Sequence, residues 1–172
     1  MSITLSRYDP ETTYPGQKSF DCGHVVINEF VARSLKQQVQ RGLSVAYVLT
    51  EDDGSIVGFC TLMAASVGKS DLAAAYPRSL PQAVPVTKLS MLGVAKSHSR
   101  KGLGRQLLRE AIRAMVQSAE SVGTLGLYLD ADPGAYDFYV RNSFTPLKNR
   151  QDPEPTPMFL ALDTVRQLLP TR

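Results

Sequence analysis

Residues 99 to 108 read Ser99-Arg100-Lys101-Gly102-Leu103-Gly104-Arg105-Gln106-Leu107-Leu108, and no other stretch carries as strong a chemical signal. Two glycines one residue apart stand where an amphipathic helix begins. Leu107, Leu108, Ala111, Ile112 and Met115 recur at helical spacing, while Arg105, Arg109, Glu110 and Arg113 fill the other face. A helix start exposes unpaired N–H groups and the positive end of the macrodipole, and glycine lets an anion approach that backbone. The pattern offers a seat for a phosphate or pyrophosphate. It is also what a helix following a glycine-rich turn looks like, since short glycine motifs match by chance. From Lys96 to Arg113, six Lys and Arg residues stand against one acid, Glu110. Such an excess favours a polyanionic ligand, although solvated helix faces are often charged too.

The elements that must position this loop follow from periodicity. Thr4–Arg7 reads as a short strand. A helix is expected from about His24 to Gln40, with Ile27, Phe30, Val31, Leu35 and Val39 on one face, Asp21 upstream as a candidate cap and Gly42 at its end. Ser44–Thr50 and Ile56–Val67 flank the turn Asp52-Asp53-Gly54-Ser55 and read as a hairpin. Residues 68–85 form a loop with Pro77, Pro81 and Pro85 and room for one helical turn near Leu72–Ala75. Val86–Val94 is a strand leading into the glycine loop. Leu125, Leu127 and Leu129 alternate in another, which ends at Asp130-Ala131-Asp132-Pro133. A short helix near Ala135–Arg141, a strand at Phe144–Leu147 and a final strand near Met158–Leu162 complete the order. This is a mixed α/β sheet. The three-glycine dinucleotide fingerprint and the Lys-Ser/Thr of a P-loop are both missing, and the upstream meander does not suit a doubly wound parallel sheet.

Composition sets wider bounds. The chain has 172 residues, 43% of them hydrophobic, and a net charge of +3. That is enough for one globular domain with a real core. No apolar run approaches the roughly 18 residues that span a membrane, and the first residues lack the basic-then-apolar layout of a signal peptide. Cys22 and Cys60 suggest neither a disulfide framework nor a metal site, so a cytoplasmic location is expected.

With the strand Val86–Val94 before it, the loop Ser99-Arg100-Lys101-Gly102-Leu103-Gly104 resembles the Gln/Arg-x-x-Gly-x-Gly/Ala loop of the GNAT superfamily of N-acetyltransferases. Ser99 takes the place where Gln or Arg is usual. Downstream, Ala135-x-x-Phe138-Tyr139-x-x-x-x-Phe144 is similar to that family's Ala-x-x-Phe-Tyr-x-x-x-Gly-Phe segment, with Ser143 in place of glycine. Phe20-Asp21-Cys22-Gly23-His24-x-x-Ile27-Asn28-x-Phe30 resembles a stretch found in the toxin branch of bacterial toxin–antitoxin pairs. Gln38–Ser44 extends that likeness, and Leu89–Ala95 resembles the branch's Leu-Gly-Arg-Leu-Ala-Val-Asp strand, with Met91 for the arginine.

The resemblance implies a single acetyltransferase domain over residues 1–172. Its fold would be a mixed, mostly antiparallel sheet flanked by helices, with splayed central strands forming an acetyl-CoA cleft. Ser99, Arg100, Lys101, Gly102, Leu103, Gly104 and Arg105 would bind the pyrophosphate, and the strand edge at Leu92, Gly93 and Val94 the pantetheine amides. Asp132, Ala135 and Phe138 would complete the cofactor site, and Tyr139 would act as general acid toward the departing thiolate. Tyrosine titrates near 10 and a thiol near 8.5, so full proton transfer is uphill by roughly 2 kcal/mol; Tyr139 would act mainly by hydrogen bonding as charge develops on sulfur. Phe138 and Tyr139 are also what ordinary aromatic packing looks like.

The same resemblance implies acetyl transfer to the α-amine of an aminoacyl-tRNA, neutralisation by a ribbon-helix-helix antitoxin, and a homodimer. No metal is expected. Val86–Val94 holds no Asp or Glu to serve as base. An α-amine titrates near 7.7–8.0 and a lysine amine near 10.4, so a missing carboxylate is tolerable for the first and awkward for the second. Arg33, Lys36, Arg41, Arg78 and Lys88 could meet tRNA phosphates. His24 and His98 could be proposed as bases, but each is more often a solvent-facing or capping residue, and Cys22 reads as a small buried residue, since direct attack on a thioester needs no covalent intermediate. Two alternatives stay open: a small amine or protein amino terminus as acceptor, and a non-catalytic acetyl-CoA-binding corepressor.

Overall fold

The first helical stretch, expected to be continuous from His24 to Gln40, is broken at Ser34 in the computed structural model, which describes residues 2–168. In chain order the elements are strand β1 (Thr4–Arg7), helices α1 (Val25–Arg33) and α2 (Leu35–Gln40), and strands β2 (Val45–Thr50), β3 (Ile56–Gly68) and β4 (Ala83–Val94). Helix α3 (Leu103–Ser118), strand β5 (Gly126–Ala131), helix α4 (Tyr136–Arg141), strands β6 (Thr145–Pro146) and β7 (Thr156–Ala161) and helix α5 (Leu162–Leu168) follow. The strands hydrogen-bond in the order β1-β2-β3-β4-β5-β7-β6. β1–β2, β2–β3, β5–β7 and β6–β7 are antiparallel and β4–β5 is parallel, so the expected mixed, mostly antiparallel sheet is present. No described helix is long and apolar enough to cross a membrane.

The chain divides into two compact units, Met1–Met63 with Leu89–Ala111, and Ala64–Lys88 with Ile112–Arg172. In the first, Val31 and Leu35 are fully buried one turn apart on either side of Ser34. At the break, Ser34 has φ −116°, yet its N–H still bonds the Phe30 carbonyl. Side-chain periodicity therefore persists while the backbone ladder is interrupted, which is why a single helix was expected. α2 stops where Gly42 takes φ +72°. The Leu43 N–H reaches the Gln38 carbonyl and the Gly42 N–H the Val39 carbonyl, the paired bonds of a glycine-capped helix end. Phe59 anchors this core, with Phe20 edge-on at 5.6 Å and Phe30 stacked at 6.2 Å; Cys22, Ile27 and Met91 pack against the same cluster.

The second unit packs Leu72, Val84, Val86, Phe159 and Ala161. Its strands β5 and β7 pair from Gly126↔Ala161 to Ala131↔Thr156. The parallel pair joins Thr87 to Leu127 and Lys88 to Tyr128, and β4 runs on to Val94. Helix α5 lies beyond the expected elements. It starts at the last residue of the final apolar run, where the Leu162 N–H bonds the Leu125 carbonyl at 2.8 Å and Val165 turns into the core. The expected strand Phe144–Leu147 shrinks to Thr145–Pro146. In the loop after β3, the expected helical turn near Leu72–Ala75 is present, the Ala75 and Tyr76 N–H groups bonding the Leu72 carbonyl at 3.0 and 2.9 Å, and a 3-10 turn at Lys69–Leu72 precedes it.

Candidate active site

In the first unit, β4 passes through Ala95 into a 3-10 turn, Lys96–His98, and then into the glycine loop. Arg100 (φ +60°) and Gly102 (φ +75°) are both left-handed, one residue apart. Backbone turned this way gathers successive N–H groups into a concave anion-binding nest. The Gln106 N–H bonds the Gly102 carbonyl at 3.1 Å, so Gly102 occupies the capping position of α3. It has no side chain to satisfy the first-turn amides of Leu103, Gly104 and Arg105, which have no partner within a helix. A Cβ built on Gly102 meets nothing within 4 Å; glycine is required there by conformation, and the space above it is open. Leu103 is buried, whereas Ser99, Arg100, Lys101, Gly102 and Arg105 are exposed. Among the described residues, Arg100, Lys101 and Arg105 have no ionic partner.

The start of this loop is tied down at several points. The Ala95 N–H bonds the Val57 carbonyl at 2.8 Å, and the Lys96 N–H bonds the Asp21 carbonyl at 3.0 Å. Lys96 Nζ lies 3.4 Å from Asp21 Oδ2. Asp21 was expected to cap the first helix; instead Oδ1 accepts from the Gly23 N–H at 2.8 Å and from Asn28 Nδ2 at 3.0 Å. These two bonds, and then Lys96, hold its carboxyl below the ordinary range. Helix α1 starts after His24, which makes no side-chain capping bond. The motif Phe20-Asp21-Cys22-Gly23 with Asn28 thus folds into a knot that grips the first residue of the loop turn. His98 bridges Ser97 and Glu51: Nδ1 lies 2.7 Å from Ser97 Oγ, and Nε2 lies 2.6 Å from Glu51 Oε1. Both ring nitrogens are therefore hydrogen-bonded. Glu51 had no signal in the sequence, because its partner is 47 residues away.

Along β4, Gly93 is buried, and a Cβ there would press on Ile27 Cγ2 at 3.1 Å and on Cys22 Sγ and Phe59 Cε1 at 3.3 Å. Gly93 is therefore needed for packing under the strand edge. Burial pushes the Cys22 thiol up, consistent with an inert packed residue. Cys60, fully buried in β3, is pushed up to about 12.

In the second unit Tyr139 is 7% exposed, its ring edge-on to Phe138 at 5.1 Å and to Phe144 at 5.6 Å. Asp132 opens the 3-10 turn Pro133–Ala135 that leads into α4, its carbonyl accepting from the Ala135 N–H at 2.9 Å. Asn142 Nδ2 donates to the Phe138 carbonyl at 2.7 Å. The helix ends on Ser143, at φ +75°. The Phe144 N–H reaches the Tyr139 carbonyl and the Ser143 N–H the Val140 carbonyl. Ser143 thus stands in the left-handed capping position where the resemblance expects glycine.

The cations proposed for a nucleic acid are divided between the units. Arg33, Lys36 and Arg41, at the end of α1, in α2 and at its cap, are exposed and without an ionic partner among the described residues. Arg78 and Lys88 lie in the other unit and are already paired, Arg78 with Asp163 at 3.3 Å and Lys88 with Asp130 at 3.6 Å.

Residues 15–144 match the sequence model of the Acetyltransferase (GNAT) family. The chain is 38% identical over 128 residues to the tRNA-acetylating toxin of Mycobacterium tuberculosis (strain ATCC 25618 / H37Rv), covering 73% of this chain and 76% of that protein. Among solved structures, a bacterial toxin at 34% identity matches with a TM-score of 0.92 over 97% of this chain and 94% of its own. AtaT complexed with acetyl-methionyl-tRNAfMet matches with a TM-score of 0.85 at 22% identity, over 97% of this chain and 99% of its own, a likeness of fold.

Proposed function

The chain belongs to the acetyltransferase (GNAT) family, and we propose that it moves an acetyl group from acetyl-CoA to the α-amine of the amino acid on charged tRNA, blocking translation. The observation that carries this acceptor is the kinship with the tRNA-acetylating toxin. Two features of the chain support it: Arg33, Lys36 and Arg41, exposed and without an ionic partner among the described residues, and a β4 strand without a carboxylate.

In this reading the amides of Gly102, Leu103, Gly104 and Arg105 hold the pyrophosphate, and Arg100 and Lys101 add charge, with Ser99 contributing only a short hydroxyl. The edge at Leu92, Gly93 and Val94 receives the pantetheine amides. Tyr139, packed between Phe138 and Phe144, donates a hydrogen bond to sulfur as the thiolate departs, and Asp132, Ala135 and Phe138 complete the cofactor site. Arg33, Lys36 and Arg41 meet tRNA phosphates. Arg78 and Lys88 join them only by exchanging a carboxylate for a phosphate, a modest cost because exposed ion pairs are worth about 0–1 kcal/mol. The chain acts as one domain in the cytoplasm, as a homodimer neutralised by a ribbon-helix-helix antitoxin.

Incubation with radiolabelled acetyl-CoA and total charged tRNA tests the acceptor. Label should enter the RNA fraction and leave it when mild base cleaves the aminoacyl ester. Label found only on small amines or protein amino termini would replace the acceptor. Acetyl-CoA binding with neither transfer nor hydrolysis would make the chain a binding module.

A further inference from the structure

Glu51 and His98 form a contact outside the residues assigned above to the cofactor and the thioester. The side chains are only 18% and 15% exposed, and their atoms lie 2.6 Å apart. A carboxylate can only accept, so His98 Nε2–H donates to Glu51 Oε1, and in the neutral ring Nδ1 accepts from the Ser97 hydroxyl. Shielded from solvent, a charge-assisted bond of this kind is stronger than a neutral one and poorly replaced by water.

Its position gives it a consequence. His98 ends the 3-10 turn, and Arg100 and Gly102 follow immediately, both left-handed. Arginine in that conformation is strained, and such strain persists only where the surroundings over-determine it. The Lys96 contacts with Asp21 fix the first residue of the turn, and Glu51, at the end of the β2 arm of the hairpin, fixes the last. The hairpin end is itself braced, since the Glu51 N–H bonds the Ser55 carbonyl at 3.0 Å and the Gly54 N–H the Glu51 carbonyl at 2.9 Å.

We propose that the Glu51–His98 pair is a latch that holds the loop in its anion-binding shape before acetyl-CoA arrives, making both side chains positioning residues for acetyl-CoA affinity. This rests on the acetyltransferase reading of the loop. Removing the latch lets the left-handed residues relax when the site is empty, and binding must then reorder them. The loss falls on affinity, while the turnover of bound acetyl-CoA is preserved.

The test compares wild type, His98→Ala, Glu51→Ala, the double variant and His98→Gln by calorimetric acetyl-CoA titration, steady-state kinetics and thermal melting. Each single alanine variant should weaken acetyl-CoA binding and raise its KM about tenfold, equivalent to about 1.4 kcal/mol, with kcat within about twofold. The double variant should be no worse than either single one. His98→Gln, whose Nε2 can still donate to Glu51, should recover most of the affinity. Unchanged KM with a lowered melting temperature, or losses that add independently in the double variant, would overturn the latch alone. Failure of wild type to bind acetyl-CoA would overturn the reading of the loop and the latch with it.

Discussion

Replacing Tyr139 by Phe removes one oxygen and leaves the ring. The ring is 7% exposed and held edge-on between Phe138 and Phe144, so the packing survives. The fold should lose no more than the net worth of one hydrogen bond, about 1 kcal/mol. The glycine loop proposed to hold the pyrophosphate is unaltered by the substitution and keeps all of its amides, so the Kd for acetyl-CoA should stay within about twofold. The chemical step should behave differently. Proton transfer from tyrosine to thiolate is uphill by roughly 2 kcal/mol, so in the proposed role the hydroxyl acts as a hydrogen-bond donor to charge appearing in the transition state. Loss of one such donor costs about a hundredfold to a thousandfold in kcat, or about 2.7–4 kcal/mol. Acetyl-CoA titration, melting curves and single-turnover transfer to charged tRNA measure the three quantities separately. A variant with full kcat would remove Tyr139 from the chemistry. A variant that lost acetyl-CoA binding in parallel with kcat would make it a structural residue.

Two further outcomes follow from local geometry. Ser143→Gly should stabilise the protein: the left-handed penalty of about 1–2 kcal/mol, offset by about 0.5–1 kcal/mol for the freedom of unfolded glycine, leaves a net gain near 1 kcal/mol. That corresponds to a rise of about 2–4 °C in Tm, and a fall in Tm would show that the Ser143 side chain contributes more than its backbone strain removes. Asp21 has a carboxyl depressed in the folded state by the Gly23 N–H, Asn28 and Lys96, so its contribution is complete above the unfolded pKa and disappears as pH falls through the folded one. Urea midpoints of wild type minus Asp21→Asn should therefore be flat above about pH 5 and shrink in acid; a difference that grows as pH falls would reverse the assignment.

The legible parts of the site were those with a local signal. A strand followed by two glycines and an apolar helical period marked the strand–loop–helix unit of the proposed anion seat, since every contributing residue lies between Val86 and Met115. The α1–α2 break was hidden because Val31 and Leu35 keep helical spacing across Ser34. Asp21 looked like a cap because capping and loop-tying acids have the same local appearance; only its bonds to Gly23 and Asn28, and its contact with Lys96, separate the two. Glu51 was invisible, as no periodicity links it to His98. Arg78 and Lys88 were counted as available cations, and pairing with Asp163 and Asp130 is a property of the fold.

The chemistry of β4 bears on the choice of acceptor. From Ala83 to Val94 the strand has no carboxylate. Met91, at the position where the resemblance expects an arginine, packs onto the apolar core along with Cys22, Ile27 and Phe30. An acceptor that arrives largely neutral suits such a strand. A lysine amine titrates about 2.5 units above an α-amine, so presenting it neutral costs about 3–4 kcal/mol more before any chemistry begins. An aminoacyl ester needs no strong base, and water or a backbone carbonyl can take the proton from the nitrogen after attack on the thioester. With Met91 packed against the core, recognition of the nucleic acid in this reading falls to Arg33, Lys36 and Arg41, which are exposed and have no carboxylate partner among the described residues.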